Sequence, residues 1–227
     1  LIAKHLTNFS ILLKWTREDE HCWEPYGSAM QCNLQASVNS NGEITSWSHE
    51  TFSDTFLTRP VIGKDPGSRL LSTHYLKESK PWPVTPPMLT VHGGIHRNIE
   101  PIYNFPSPRL VKHRVYDLPL RTSALRALGA FGNIFAIESM MDELAEALKL
   151  DPFHFRLKHL NDEQGIQTLI RLKELVDKDR VNFPQEAGLG ISFARYKNSA
   201  GYCSLAVLLR VNDDAEVELI KIFCGKL

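Results

Sequence analysis

Three observations predict an α+β fold with mixed or antiparallel sheets and a three-helix segment. Two runs of alternating apolar and polar residues, 31–38 and 43–53, flank the turn dipeptide Asn41-Gly42. Three segments with helical apolar spacing follow one another between residues 133 and 178. Strand-like patterning then returns from Ile191 to the end of the chain.

In the first half, the opening LIAKHLTNF lacks an initiator Met and reads as the end of a helix. Ser10 to Thr16 (SILLKWT) is apolar enough for a strand, and the four charges Arg17 to Glu20 predict a loop after it. Gln31–Val38 and Glu43–Ser53 form the predicted β-hairpin. Residues 57–109 carry Pro60, Pro66, Pro81, Pro83, Pro86, Pro87, Pro101, Pro106 and Pro108, which disfavour continuous helix or central strand. A long wandering connection is expected, packed under a partner or acting as a linker; Leu70, Leu71, Tyr75, Trp82 and Tyr103 argue against full disorder.

In the second half, Ile134, Ile137, Met141, Leu144 and Leu148 make one apolar stripe on a helix from about Asn133 to Lys149. Glu138, Asp142, Glu143 and Glu146 are consistent with its solvated side. Asp151-Pro152 reads as an N-cap with proline at the first helical position, opening a second helix to about Leu160. Ile166, Leu169, Ile170 and Leu175 mark a third, Glu163 to Lys178, and Pro184, Gly188 and Gly190 end the helical region. Strands are expected near Ile191–Tyr196, Tyr202–Val211 and Glu216–Phe223, the last two joined by Asn212, Asp213 and Asp214. The chain divides into a β-rich part, 1–117, with the hairpin and proline-rich connection, and a second part, 118–227, with the helices and closing strands. It stops abruptly on AEVELIKIFCGKL, and together with the missing start this suggests a segment of something larger.

Composition narrows the function classes. The 227 residues carry 26 Lys+Arg and 26 Asp+Glu, so there is no basic surplus for a phosphate backbone, and nucleic acid is a poor partner. No window approaches the roughly 18 uninterrupted apolar residues of a membrane span. Cys22, Cys32, Cys203 and Cys224 form no C-x-x-C and read as buried or incidental thiols. His92 and His96 bracket Gly93-Gly94, which argues against one helical face, and His154 and His159 are five apart, so no local metal site is expected. Phosphate-loop, G-x-S-x-G and H-E-x-x-H motifs are absent. The most suggestive feature is Arg126-Ala-Leu-Gly129-Ala-Phe-Gly132-Asn133, a glycine-bearing turn leading into the long helix. It fits either an anion cradle of helix-start amides beside an arginine or an ordinary glycine turn with a solvated arginine.

Residues 118–164, LPLRTSALRALGAFGNIFAIESMMDELAEALKLDPFHFRLKHLNDEQ, resemble the molybdopterin-binding large subunit of the xanthine dehydrogenase and aldehyde oxidase family. The matched positions are Arg126, Gly129, Glu138, Asp142, Glu143, Leu144, Ala145, Asp151, Pro152, Arg156 and Leu160. Lys14–Gly27, Tyr103–Pro106 and the segment from Gly188 to Val211 extend the resemblance, the last toward the isoquinoline oxidoreductase branch.

The resemblance implies a molybdenum cofactor-binding-domain-like fold. It also implies a parent hydroxylase in which a molybdenum centre held by molybdopterin oxidises a C–H carbon with water-derived oxygen, and electrons leave through iron–sulfur clusters on a partner. By motif, Arg126 and Gly129 are cofactor-binding and Leu128 is substrate-facing. Purine-oxidising members carry a phenylalanine at the Leu128 position, and an aliphatic side chain there loses about 0.5–1.5 kcal/mol of ring stacking. Xanthine is therefore disfavoured, while heteroaromatics and aldehydes stay open. The family's Gly-Gly-Phe-Gly loop and catalytic glutamate are not in this sequence, so no catalytic residue is assigned and no bound metal or cofactor is expected on this chain alone. Glu138, Asp142 and Arg156 are expected to pair and fix a helix crossing.

The reading is a fragment or truncated homologue of a molybdenum hydroxylase large subunit, forming part of the pterin pocket and inactive alone. Its partners would be an iron–sulfur subunit and the remaining molybdopterin-binding segments. The alternative is a stand-alone, non-catalytic interaction or scaffold domain on the same fold. A homo-oligomer through exposed surface is compatible with either, as is a cytoplasmic or periplasmic compartment. An exposed apolar patch larger than a few hundred Å² is expected where the cofactor and partners would face.

Overall fold

The computed structural model describes residues 2–59, 66–79, 81–82 and 84–225; Pro60 and Pro83 of the proline-rich stretch lie outside them. The architecture is α+β. Helices α1 (Ile2–His5) and α2 (Arg17–Trp23) precede strands β1 (Tyr26–Gly27), β2 (Met30–Val38) and β3 (Ile44–Ser53). After the proline-rich connection come β4 (Arg109–Arg114) and β5 (Thr122–Ser123), then helices α3 (Ala130–Ala147), α4 (Pro152–Lys158) and α5 (Glu163–Asp179). Strands β6 (Gly188–Arg195), β7 (Tyr202–Val211) and β8 (Val217–Gly225) close the chain. The sheets are β2-β3-β4, β6-β7-β8 and the short parallel pair β1-β5.

The predicted hairpin forms in register from Met30↔Ser53 to Val38↔Ile44. Asn39 locks its turn, its Oδ1 accepting from the backbone amides of Asn41 and Glu43, both at 3.0 Å, while Gly42 takes a φ of 71°. Among the described residues of the proline-rich connection, 57–108, the regular structure is limited to short 3₁₀ helices.

Two expectations from the N-terminal half are corrected, and one strand was not expected. Residues 10–16 form no strand, because no neighbouring strand takes up their backbone; Leu12 is left 90% exposed. The charged run after them is a helix. Thr16 and Asp19 form a capping box, Asp19 N donating to Thr16 Oγ1 at 3.2 Å and Thr16 N to Asp19 Oδ2 at 3.0 Å, so the four charges start a helix where a loop was expected. Strand β4 was hidden by its charges and pairs parallel to β3, from Ser48↔Arg109 to Ser53↔Arg114, across the proline-rich crossover.

The three helices stand where the apolar spacing places them. Asp151 caps α4 through His154 N at 2.8 Å with Pro152 behind it, and Asp162 caps α5 through Gly165 N at 2.8 Å. Gly188 and Gly190, expected as breakers, lie inside β6 with no atom near the position of a side chain; an edge strand tolerates them. One buried cluster joins the layers: Ile137, Met141 and Ala145 of α3, Phe153 and Phe155 of α4, Leu169, Leu172 and Val176 of α5, and Phe193, Ala206 and Leu208 of the closing sheet, with Trp47 and Tyr103.

At its centre the expected helix-crossing pair is present, and Glu138 is buried rather than solvated. Arg156 Nε donates to Glu138 Oε2 at 2.9 Å and its Nη2 to Glu138 O at 3.1 Å and Ile191 O at 3.3 Å, while Nη1 stands 2.7 Å from Asp142. Tyr103 OH and Phe193 N fill the remaining carboxylate positions at 2.7 and 2.8 Å. Burial raises the Glu138 carboxyl above its ordinary range, and Arg156 opposes that shift. Glu143 and Glu146 do face solvent.

Candidate functional site

The Arg126–Gly129 turn is held from behind by the turn Gly94–His96. Gly129 N donates to Gly94 O at 3.1 Å, and a Cβ at Gly129 would stand 2.3 Å from Ile95 O and 2.5 Å from Gly94 O. No side chain fits that gap, so glycine here is demanded by backbone-to-backbone packing at an ordinary φ of −61°. Asn133, one turn into α3, completes the anchor. Its Nδ2 donates to Ile95 O and Arg97 O at 2.9 and 3.0 Å, and its Oδ1 accepts from Thr51 at 2.6 Å, so strand β3, helix α3 and the 94–97 turn meet on one buried amide. Asn98, fully buried at a φ of 56°, ties the same turn to the β6–β7 connection through Arg195 O at 2.8 Å.

The front of the turn is strained and open. Ala127 and Leu128 adopt φ of 74° and 53°, two successive non-glycine residues in the left-handed region. Such a pair persists only where surrounding contacts enforce it, and this kind of strain gathers at functional sites. It presents Arg126 to solvent with no hydrogen bond or ion pair among the described residues, beside exposed Leu125 and half-buried Leu128. One turn along α3, Phe131 and Phe135 are also solvent-facing.

The amide cradle considered from the sequence is not available. The amides of Leu128, Gly129, Ala130 and Phe131 donate to Leu125 O, Gly94 O, Ala127 O and Leu128 O. A polar ligand at this turn would therefore meet the Arg126 guanidinium rather than a ring of free N–H groups. A cleft of about 420 Å³ lies between β4, β5 and the proline-rich connection, lined by Arg69, Trp82, Arg114, Tyr116 and Arg121, and a groove of about 620 Å³ runs between β2 and α3; none of Arg126, Leu128 and Gly129 lines either.

The histidines and cysteines play other parts. His49 is buried beside Thr51 and held at a pKa of about 4, because burial disfavours the imidazolium. His159 is fixed as one neutral tautomer: Nδ1–H donates to Phe155 O at 2.8 Å and Nε2 accepts from Ile44 N at 3.1 Å. His96 lies 2.9 Å from Lys112 Nζ. Cys22, Cys203 and Cys224 are exposed and Cys32 is half-buried, all free thiols, so of the two readings, buried or incidental, the incidental one describes them. Among the described residues there is no group of three metal-ligating side chains, and no helix is long and apolar enough to cross a membrane. The anchoring roles of Asn133, Asn98 and the Gly94–Ile95 backbone were not read from the sequence, which named Asn133 only as the end of the glycine-bearing turn.

Residues 84–160, which span both turns, α3 and α4, match the molybdopterin cofactor-binding domain family. Over the part it spans, the chain is homologous to a part of a molybdenum hydroxylase large subunit. It is 30% identical over 197 residues to a nicotinate dehydrogenase polypeptide of Pseudomonas putida, covering 83% of this chain and 15% of that protein. The beta chain of isoquinoline 1-oxidoreductase from Brevundimonas diminuta is 27% identical over 192 residues, covering 82% and 22%. The chain thus spans about a fifth or less of the length of these curated relatives. In fold it is similar to quinoline 2-oxidoreductase from Pseudomonas putida, with a TM-score of 0.52 at 14% identity over 85% of this chain and 26% of that one. Aldehyde oxidoreductase from Desulfovibrio gigas gives 0.50 at 18% over 85% and 21%.

Proposed function

We propose that this chain supplies one wall of the molybdopterin pocket of a molybdenum hydroxylase large subunit and does not turn over by itself. The observation that carries the reading is the strained Arg126–Gly129 turn: buttressed behind by Gly94, Ile95 and Asn133, open in front, and lining neither the cleft beside β4 and β5 nor the groove between β2 and α3. A turn so firmly held yet facing solvent is half of a site.

In this reading Arg126, unpaired and at the apex, contacts the polar edge of the cofactor. Gly129 positions it by allowing the backbone of the 94–97 turn to close behind, and Leu128 offers an aliphatic surface to the substrate. The molybdenum cofactor, when bound, supplies oxidation of a C–H carbon with oxygen from water. This chain's residues hold and orient, and no side chain at the turn is placed to accept the substrate proton. Aldehydes and N-heteroaromatics are the substrate classes this supports, with an iron–sulfur subunit and the remaining pterin-binding segments as partners.

The test is elemental analysis for molybdenum with fluorescence of released pterin on the purified chain. Metal well below one per chain, together with binding to an iron–sulfur or second molybdopterin-binding polypeptide, supports the reading. Stoichiometric molybdenum overturns the incomplete-site assignment, and a partner set unrelated to electron transfer turns it toward a scaffold.

A further inference from the structure

The 94–97 turn that backs Gly129 is itself braced from β4, which sends Lys112 toward it from the position beside Thr51. Lys112 Nζ donates to Met88 O at 2.9 Å and stands 2.9 Å from His96 Nδ1. An ammonium has only protons to give, so His96 Nδ1 is the bare acceptor. The ring's one proton therefore lies on Nε2, which donates to Thr90 O at 2.9 Å, a carbonyl that also takes Gly93 N at 3.0 Å. His96 is neutral in a fixed tautomer, and both of its nitrogens hold the 88–96 loop against β4. The titratable and charged groups that act on this imidazole are Lys112 of β4 and His92 and Arg97 of its own loop, each a cation or able to become one. Strand β3 and helix α3 also pack on the turn and reach it through Thr51 and Asn133, both uncharged. Of the ionisable residues on β3 beside them, His49 is turned to Thr51, and Glu50, on the opposite face of the sheet, is engaged by Arg109 and His113.

We propose that His96 is an acid-sensitive latch on the Arg126 turn: a second proton on its imidazole breaks the Lys112 contact and loosens the carbonyls that hold Gly129 and Asn133. A proton on Nδ1 would point at the Lys112 ammonium 2.9 Å away, with only cations around the pair to receive the added charge. Lysine keeps its proton in that contest, because an ammonium starts from 10.5 and an imidazole from 6.5, and burial lowers both. The ring must then turn away, giving up Thr90 O as well. The loop it holds carries Gly94 O, Ile95 O and Arg97 O, the acceptors of Gly129 N and Asn133 Nδ2. Once these weaken, so do the contacts that enforce the left-handed φ of Ala127 and Leu128, and the apex relaxes. The folded imidazole lies below its ordinary value, so its neutral form favours the fold; the latch holds above pH 6.5 and lets go as the pH falls below it. Its bearing on cofactor contact rests on the placement of Arg126 proposed above, whereas the latch itself does not.

Histidine nitrogen-15 shifts and amide exchange, read by NMR on the full chain at about pH 7.5 and about pH 5.5, test this. Neither measurement involves the cofactor, so a failed latch is distinguishable from a failed pocket assignment, which elemental analysis decides. At the upper pH His96 should be the neutral Nε2–H tautomer, and its titration should lie below that of a free histidine. Between the two pH values the protection of the Gly129 amide should fall by roughly threefold more in wild type than in His96→Gln, which takes up no proton, or Lys112→Met, which removes the opposing cation. Comparing falls rather than levels cancels the loss of any merely structural brace and the shared response of His49. Lys112→Met should also move the His96 titration upward. A charged His96 or the other tautomer at the upper pH, a His96 titration that Lys112→Met leaves in place, or a wild-type fall equal to that of the variants would each overturn the proposal. The tautomer and titration of wild-type His96 decide it even where a variant fails to fold.

Discussion

Replacing Arg156 by leucine removes the cation at the crossing of α3, α4 and β6 and leaves Glu138 4% exposed with no counter-charge. The guanidinium makes hydrogen bonds of 2.9, 3.1, 3.3 and 3.2 Å to Glu138 Oε2, Glu138 O, Ile191 O and Pro152 O. Breaking a buried pair from one side costs about 3–5 kcal/mol, a large share of the roughly 5–15 kcal/mol that holds a domain together. Leucine fills part of the vacated volume, so the loss is electrostatic in origin and carries a pH signature. Burial already raises Glu138, and without Arg156 it rises further. A group whose folded pKa lies above its unfolded value contributes most at low pH and loses that contribution as pH climbs through the folded pKa. The deficit of Arg156→Leu against wild type should therefore be largest near pH 8 and shrink near pH 5. Urea unfolding followed by tryptophan fluorescence at both pH values measures it, with Arg156→Leu/Glu138→Leu expected to recover much of the loss. A deficit under about 1 kcal/mol at pH 8, or an equal deficit at the two pH values, would refute the reasoning.

Three further outcomes are expected. His49 is depressed to about 4 from 6.5, so its neutral form stabilises the fold above pH 6.5, and that contribution is lost as pH falls toward 4. The difference amounts to roughly 3 kcal/mol, and the urea midpoint should drop steeply across that window in wild type but less in His49→Gln. Gly129→Ala drives a Cβ to 2.3 Å from Ile95 O and should destabilise by about 3 kcal/mol in the same urea assay, although its φ suits alanine. Ala127→Gly relieves a φ of 74° and should raise the thermal midpoint by about 3 °C in calorimetry, against the usual trend for added glycine.

Elements whose signals are local were legible in the order of the residues. Asn41-Gly42 between alternating runs made the hairpin, Asp151-Pro152 and the 3.6-residue stripes made the helices, and the matched offsets from Arg126 to Leu160 pointed to a family before any coordinates. Even Arg156 against Glu138 was legible, because both stand in that pattern. The signals that failed were those in which local chemistry argues two ways: the charges at 17–20 suggest a break unless Thr16 and Asp19 are seen to cap each other. The rest was settled by neighbours in space. Strand β4 exists because β3 offers it a ladder across a long crossover, and 10–16 is not a strand because nothing offers it one. Gly129 looked like part of a ligand cradle and is instead where two backbones touch, with the nearby amides already taken by Gly94, Leu125, Ala127 and Leu128. The strain at Ala127 and Leu128 is likewise a property of segments brought together from distant parts of the chain. Periodicity and capping are written in adjacent residues, whereas close approach and strain depend on what the fold places alongside.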